Sequence, residues 1–94
     1  MELWEVLVPK TDNEGKEFSL EFHKEWDNYI KTIAGGLTVM RSAKGMWKGY
    51  EERMIPVRIA CERDELEHIL SFTKNHYSQE AVFAVKLSEE VIIY

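Results

Sequence analysis

Residues 34–47 read Ala34-Gly35-Gly36-Leu37-Thr38-Val39-Met40-Arg41-Ser42-Ala43-Lys44-Gly45-Met46-Trp47. Glycine takes the left-handed conformation of a helix C-cap without a Cβ clash, so Gly35-Gly36 predicts a helix stop. Leu37 to Met40 is short, apolar and partly β-branched, which predicts a strand. A polar stretch follows that carries Trp47 among Arg41, Lys44 and Lys48. A helix must therefore precede this segment, and a sheet must receive it.

Working upstream, Ser19 is a suitable N-cap for a helix running to about Ala34. At 100° per residue, Phe18, Phe22, Trp26, Tyr29, Ile30 and Ile33 share one side, and Glu21, Lys24, Glu25, Asn28 and Lys31 share the other. Before it, Leu3 to Val8 is an almost unbroken apolar run closed by Pro9, the pattern of a central strand. Asn13-Glu14-Gly15 supplies a polar turn between the two.

Downstream, Arg41 to Arg53 reads as a long charged connection. Met54 to Cys61 predicts a third strand through Ile55, Val57 and Ile59, although Pro56 removes one ladder donor. Asp64 is a candidate N-cap for a second helix to about Tyr77, with Leu66, Ile69, Leu70, Thr73 and Tyr77 as its apolar stripe. Ala81 to Leu87 predicts a fourth strand, Ser88-Glu89-Glu90 a turn, and Val91 to Tyr94 a short terminal strand.

The order β-α-β-β-α-β predicts a ferredoxin-like α+β sandwich with a short C-terminal strand added. In that fold the sheet is antiparallel, strands one and three are central, and both helices cover one face. Ninety-four residues are too few for a second core, so residues 1–94 are expected to form one domain. Period-two alternation directs Trp4, Val6, Val8, Ile55, Val57, Ile59, Phe83 and Val85 toward the helices. It leaves Leu3, Glu5, Leu7, Met54, Pro56, Arg58, Ala60, Val82, Ala84 and Lys86 on the open side.

Composition narrows the function classes. The chain is 45% hydrophobic and 31% charged, with a net charge of −5, which disfavours a phosphate-backbone nucleic-acid binder. Cys61 is the single cysteine, so no intrachain disulfide forms, and a cytoplasmic setting is expected. No apolar run approaches membrane-spanning length, and no signal-peptide pattern is present. No Gly-rich phosphate loop or nucleophile motif occurs, so no cofactor is expected.

Several residues invite a functional reading. Glu5 and Arg58, on adjacent central strands, can form a cross-strand ion pair or orient a polar ligand. His23, with Asp27 four residues on, can be a general base or a plain helix-surface contact. These three are the weak catalytic candidates. Arg41, Lys44 and Trp47, with Lys86, are candidates for binding a ligand or partner. Cys61 is expected to be a buried structural thiol, and no histidine or cysteine spacing suggests a metal site.

The run Gly36-Leu37-Thr38-Val39, then Gly45-Met46-Trp47, then Glu52-Arg53-Met54-Ile55-Pro56-Val57-Arg58-Ile59, resembles a family of small uncharacterised bacterial proteins. That resemblance implies a ferredoxin-like fold of the dimeric α+β barrel type, and no activity. A fainter likeness to small dimeric α+β barrel enzymes rests on fold alone.

The expected function is a non-catalytic homodimeric binding or assembly module, using the open sheet face or the terminal strand. The alternative is a small cofactor-free enzyme acting on a small organic molecule. A small-molecule ligand fits either reading.

Overall fold

A computed structural model of the chain describes residues 1–94, the side chain of Trp47 excepted. The elements run β1 (Glu2–Pro9), α1 (Leu20–Lys31), β2 (Gly36–Val39), β3 (Ala43–Trp47), β4 (Tyr50–Cys61), α2 (Arg63–His76) and β5 (Ala84–Ser88). The sheet order is β2-β4-β1-β5, every pairing is antiparallel, and β3 pairs with β4 beyond β2. This is the ferredoxin-like α+β arrangement, with β1 and β4 central.

The buried cluster lies between the helices and one sheet face. Trp4, Val6 and Val8 of β1 meet Val57, Ile59 and Cys61 of β4, under Trp26 and Ile30 of α1 and Leu66, Ile69 and Tyr77 of the second helical segment. The helices are tied together inside this layer. The Trp26 indole N–H donates to the Thr73 hydroxyl at 2.8 Å, and that hydroxyl donates to the Ile69 carbonyl at 2.6 Å. Both groups are buried, so each bond removes an otherwise costly orphan.

Four local expectations are corrected. First, Gly35 and Gly36 are not a left-handed cap, since neither has positive φ. Helix α1 ends at Thr32, whose N–H and that of Ile33 take up the last carbonyls. Gly35 serves a close approach instead: its N–H donates to the Ala60 carbonyl at 2.8 Å, and a Cβ there would press on Met1.

Second, the long connection after Met40 is a hairpin. Lys48 (φ 50°) and Gly49 (φ 81°) both have positive φ, and they join β3 to β4 as a two-residue turn. Residues 50–53 of β4 run past the end of β1, so this hairpin forms an arm. Third, α2 starts one residue after Glu62, whose backbone N–H donates to Glu65 at 2.8 Å, so Asp64 is not its N-cap. Fourth, Val91–Tyr94 forms no strand.

Pro56 is accommodated in a central strand. Its carbonyl accepts from Met40 N–H at 2.9 Å, so its nitrogen side also faces the β2/β3 edge. There the pairing is interrupted between Val57 and Met54, and the missing N–H falls in that gap.

Candidate functional site

Register decides which side chains reach the face that the helices leave open. Residues opposite one another in a ladder share a face. Glu5 stands opposite Arg58 and Val85, while Val6 stands opposite Val57 and Ala84. The predicted orientation of the last strand is therefore inverted. Phe83 and Val85 lie on the open face, and Val82, Ala84 and Lys86 lie on the helix side. Apolar residues occupy both parities of Ala81–Leu87, and its one charged residue, Lys86, marks the wrong parity as open because it lies at the edge of the helix side opposite Trp4.

Lys86 illustrates the consequence. It stands opposite Trp4, with its ammonium 5.5 Å from the indole centroid, and it pairs with Glu2 at 3.0 Å. The hydrogen bond from Lys86 is the main reason the Glu2 carboxyl sits below its usual range. A β-bulge between Leu3 and Trp4 inserts Leu87 as the extra residue just beyond.

The open face is consequently more apolar than the alternation pattern suggested. Leu3, Leu7, Met54 and Pro56 are half-buried, while Phe83 is 39% and Val85 56% exposed. Ala60, also on this side, is buried against its small neighbour Gly36. At the centre Arg58 Nε lies 3.4 Å from Glu5 Oε1. The cross-strand pair expected from the sequence thus forms, and Thr38 flanks it through its register with Arg58.

His23 belongs elsewhere. It lies in the helix layer, where Nδ1 is 2.7 Å from the Tyr77 hydroxyl. Burial pushes its pKa down, Asp27 and Glu17 oppose this, and the nearby His76 adds to it. His76 donates from Nε2 to the Phe22 carbonyl at 2.9 Å and is stacked on Phe22, with centroids 4.0 Å apart. Tyr77 is itself buried, and burial raises its phenol pKa. Glu5, His23 and Arg58 therefore do not converge: the sheet separates the imidazole from the ion pair. Trp4, Phe22 and Trp26 pack as part of the core or against it.

The basic candidates do not converge either. Lys44 is paired across the hairpin with Glu51 at 3.0 Å. Arg41 is exposed at the gap between β2 and β3, whereas Lys86 is on the opposite edge strand. The side chain of Trp47, and any role given to it, lies outside the described residues. Cys61 is buried, and desolvation together with nearby carboxylates raises its thiol pKa to about 11. Among the described residues no group of three or more His, Cys, Asp or Glu is arranged to hold a metal ion. Among them, too, no helix is long and apolar enough to cross a membrane.

Sequence reasoning missed two features. The helical stripe places Tyr77 in the core, yet its hydroxyl partners His23, 54 residues away, which no local spacing reveals. The hairpin arm was readable from Lys48-Gly49 between two runs able to pair, although Lys is an uncommon choice at that turn position.

No family model matches the chain, and no curated protein matches it in sequence. Solved structures do match. The protein described as periplasmic divalent cation tolerance protein CutA from Archaeoglobus fulgidus superposes with a TM-score of 0.65 at 12% identity, covering 98% of this chain and 86% of that one. CutA1 from Pyrococcus horikoshii gives 0.62 at 11% identity, covering 99% and 87%. A point mutant of the latter gives 0.64 at 9% identity with the same coverage. At such identities the likeness is one of fold.

Proposed function

We propose that this chain is a non-catalytic assembly module, a single domain over residues 1–94 that pairs with a second copy through its open sheet face. The observation that carries this reading is the β5 register, which adds Phe83 and Val85 to Leu3, Leu7, Met54 and Pro56 on the uncovered side. An apolar patch of this kind is unfavourable in water and gains from burial. The second copy is favoured by charge. A two-fold axis near the Glu5–Arg58 pair would set each carboxylate near the other copy's guanidinium, a self-complementary arrangement. The single cysteine supports a cytoplasmic setting as part of the same proposal.

An enzyme built on Glu5, His23 and Arg58 gains no support, because those groups lie on opposite sides of the sheet. The description of the Archaeoglobus fulgidus neighbour concerns divalent cation tolerance. No donor cluster among the described residues extends it to this chain.

Sedimentation equilibrium tests the proposal. The wild-type chain is expected to be a dimer at micromolar concentration, and Val85→Glu to be a folded monomer. Val39→Glu, at an exposed position on the helix side of β2, is expected to leave the dimer intact. A wild-type monomer at 100-micromolar loading would overturn the reading.

A further inference from the structure

At the arm end of the open face lies a cleft of 410 Å³, within the usual size of small-molecule sites. Three segments build it. The hairpin arm contributes Lys48 and residues 50–54, the turn after β1 contributes Thr11, Asp12, Asn13 and Gly15, and the connection between α2 and β5 contributes Gln79, Glu80, Ala81 and Phe83.

The charge inside this cleft follows from the pleat. Along β4, Met54 shares the open face with Pro56 and Arg58, so Glu52 and Tyr50 share it too. Glu51 and Arg53 alternate to the other side, where Glu51 pairs with Lys44. The arm thus turns an aromatic ring, a carboxylate and a thioether toward the cleft. Leu7 and Pro9 extend the apolar floor from β1 by the same alternation, and Phe83 extends it from the other side.

Glu80, from the connection between α2 and β5, lines the same cleft as Glu52 of the arm. Both residues also line a second, contiguous cavity of 280 Å³ that shares Asn13, Gln79, Ala81 and Phe83. Among the described residues neither Glu52 nor Glu80 has an ion-pair partner. Asp12, by contrast, is occupied: its Oδ1 accepts from the backbone N–H groups of Glu14 and Lys16 at 3.0 and 2.8 Å. Gln79 donates its amide to the Tyr77 carbonyl at 2.9 Å, which leaves its side-chain oxygen as an acceptor.

We propose that this cleft binds an aliphatic ammonium ion, its methylene chain on Leu7, Met54 and Phe83 and its head group between Glu52 and Glu80. An ammonium donates three hydrogen bonds and accepts none, which suits two carboxylates and an amide oxygen. Its alkyl stem suits an apolar floor in the way lysine stems lie along apolar surface. Lys48 and Arg53 also line the cleft, but its four carboxylates, Asp12, Glu51, Glu52 and Glu80, outnumber them and disfavour an anion, and a neutral apolar ligand would leave Glu52 and Glu80 unpaired. The same chemistry is offered by a free diamine and by a lysine side chain of a partner.

The cleft shares Leu7, Met54 and Phe83 with the patch proposed to meet the second copy, so ligand and partner would compete there, whereas Val85, Glu5 and Arg58 are outside its lining. Val85→Glu therefore disrupts the proposed dimer and spares the cleft.

Amide chemical-shift titration of the full chain with 1,4-diaminobutane and, separately, with Nα-acetyl-lysinamide tests the site. The isosteric neutral 1,4-butanediol serves as control. Saturable shifts are expected at residues 50–54 and 79–83, with affinity about tenfold weaker in Glu52→Gln and in Glu80→Gln. Glu25→Gln, on the exposed face of α1, is expected to change nothing. Binding of the diamine would point to a free amine, and binding of the lysine derivative alone to a protein side chain. Shifts scattered over the acidic surface, equal response to the diol, no response to either amine, or unchanged affinity in the Glu52→Gln/Glu80→Gln double variant would each overturn the proposal.

Discussion

His23 Nδ1 and the Tyr77 hydroxyl, 54 residues apart in sequence, lie 2.7 Å from one another across the seam between α1 and α2. The hydroxyl has no other acceptor among the described residues, so it donates and the neutral imidazole accepts. Protonating the ring would convert Nδ1 into a donor and force the hydroxyl to turn. Burial, and His76 nearby, already disfavour that charge.

The sign of the resulting pH dependence is determined. A histidine whose folded pKa lies below the unfolded value of 6.5 binds fewer protons folded than unfolded in the window between them. Stability is therefore full above pH 6.5 and falls as pH drops through the folded pKa. Tyr77 acts at the other end: its raised pKa contributes stability below pH 10 that is lost above it. Urea unfolding of the wild type at pH 5 to 7 is expected to show a declining midpoint toward acid. His23→Gln is expected to flatten that decline.

Thr73 is buried and links two bonds, accepting from Trp26 and donating to Ile69. Thr73→Val keeps the shape but orphans the indole N–H, at a cost of about 1–3 kcal/mol. Thr73→Ser keeps the hydroxyl and loses one methyl, at a cost of about 1 kcal/mol. Chemical denaturation of both variants checks the order; equal losses would remove the hydrogen bond as the cause.

Glu5 and Arg58 form a partly exposed pair, with side chains 26% and 45% accessible. Within one chain their coupling is expected to be under about 1 kcal/mol. A double-mutant cycle with Glu5→Ala and Arg58→Ala, read on folding stability, checks this. The same cycle read on the dimerisation constant is expected to give a larger coupling, because the proposed partner removes water from the pair.

Gly49 has φ 81° in the hairpin turn, where a side chain is strained whatever the space around it. Gly49→Ala is expected to cost about 1–2 kcal/mol locally. Hydrogen exchange should quicken at amides of residues 43–53 and stay unchanged in β1 and α2. Uniform quickening would show that the arm and the core unfold together.

Cys61 combines complete burial with a thiol pKa raised to about 11. Maleimide labelling at pH 8 is expected to be negligible in the native chain and complete in urea. Prompt native labelling would contradict the packing of β4 against the helices.

Most of the sheet was legible because its central strands carry their own direction. Trp4, Val6 and Val8 alternate with Glu5, and Val57 and Ile59 alternate with Arg58, so one charge on each strand sets which parity is buried. Ser19 could likewise be read as an N-cap, since its hydroxyl accepts from Phe22 N–H, three residues on. The arm was hidden because its charges mimic a loop. They pair across the hairpin instead, as Lys44 does with Glu51.

The sequence by itself determined the β-α-β-β-α-β frame, though not the β3 hairpin within it, together with the two central strands, the amphipathic helices and the Glu5–Arg58 pair, because each rests on spacing within a few residues or on opposed charges. The tertiary structure alone decided the facing of β5, the helix-side place of Lys86, the His23–Tyr77 contact and the cleft that Glu52 and Glu80 line. The physical reason is register. A shift of one residue exchanges the two faces of a strand, and in Ala81–Leu87, apolar at both parities, only pairing with β1 selects between them.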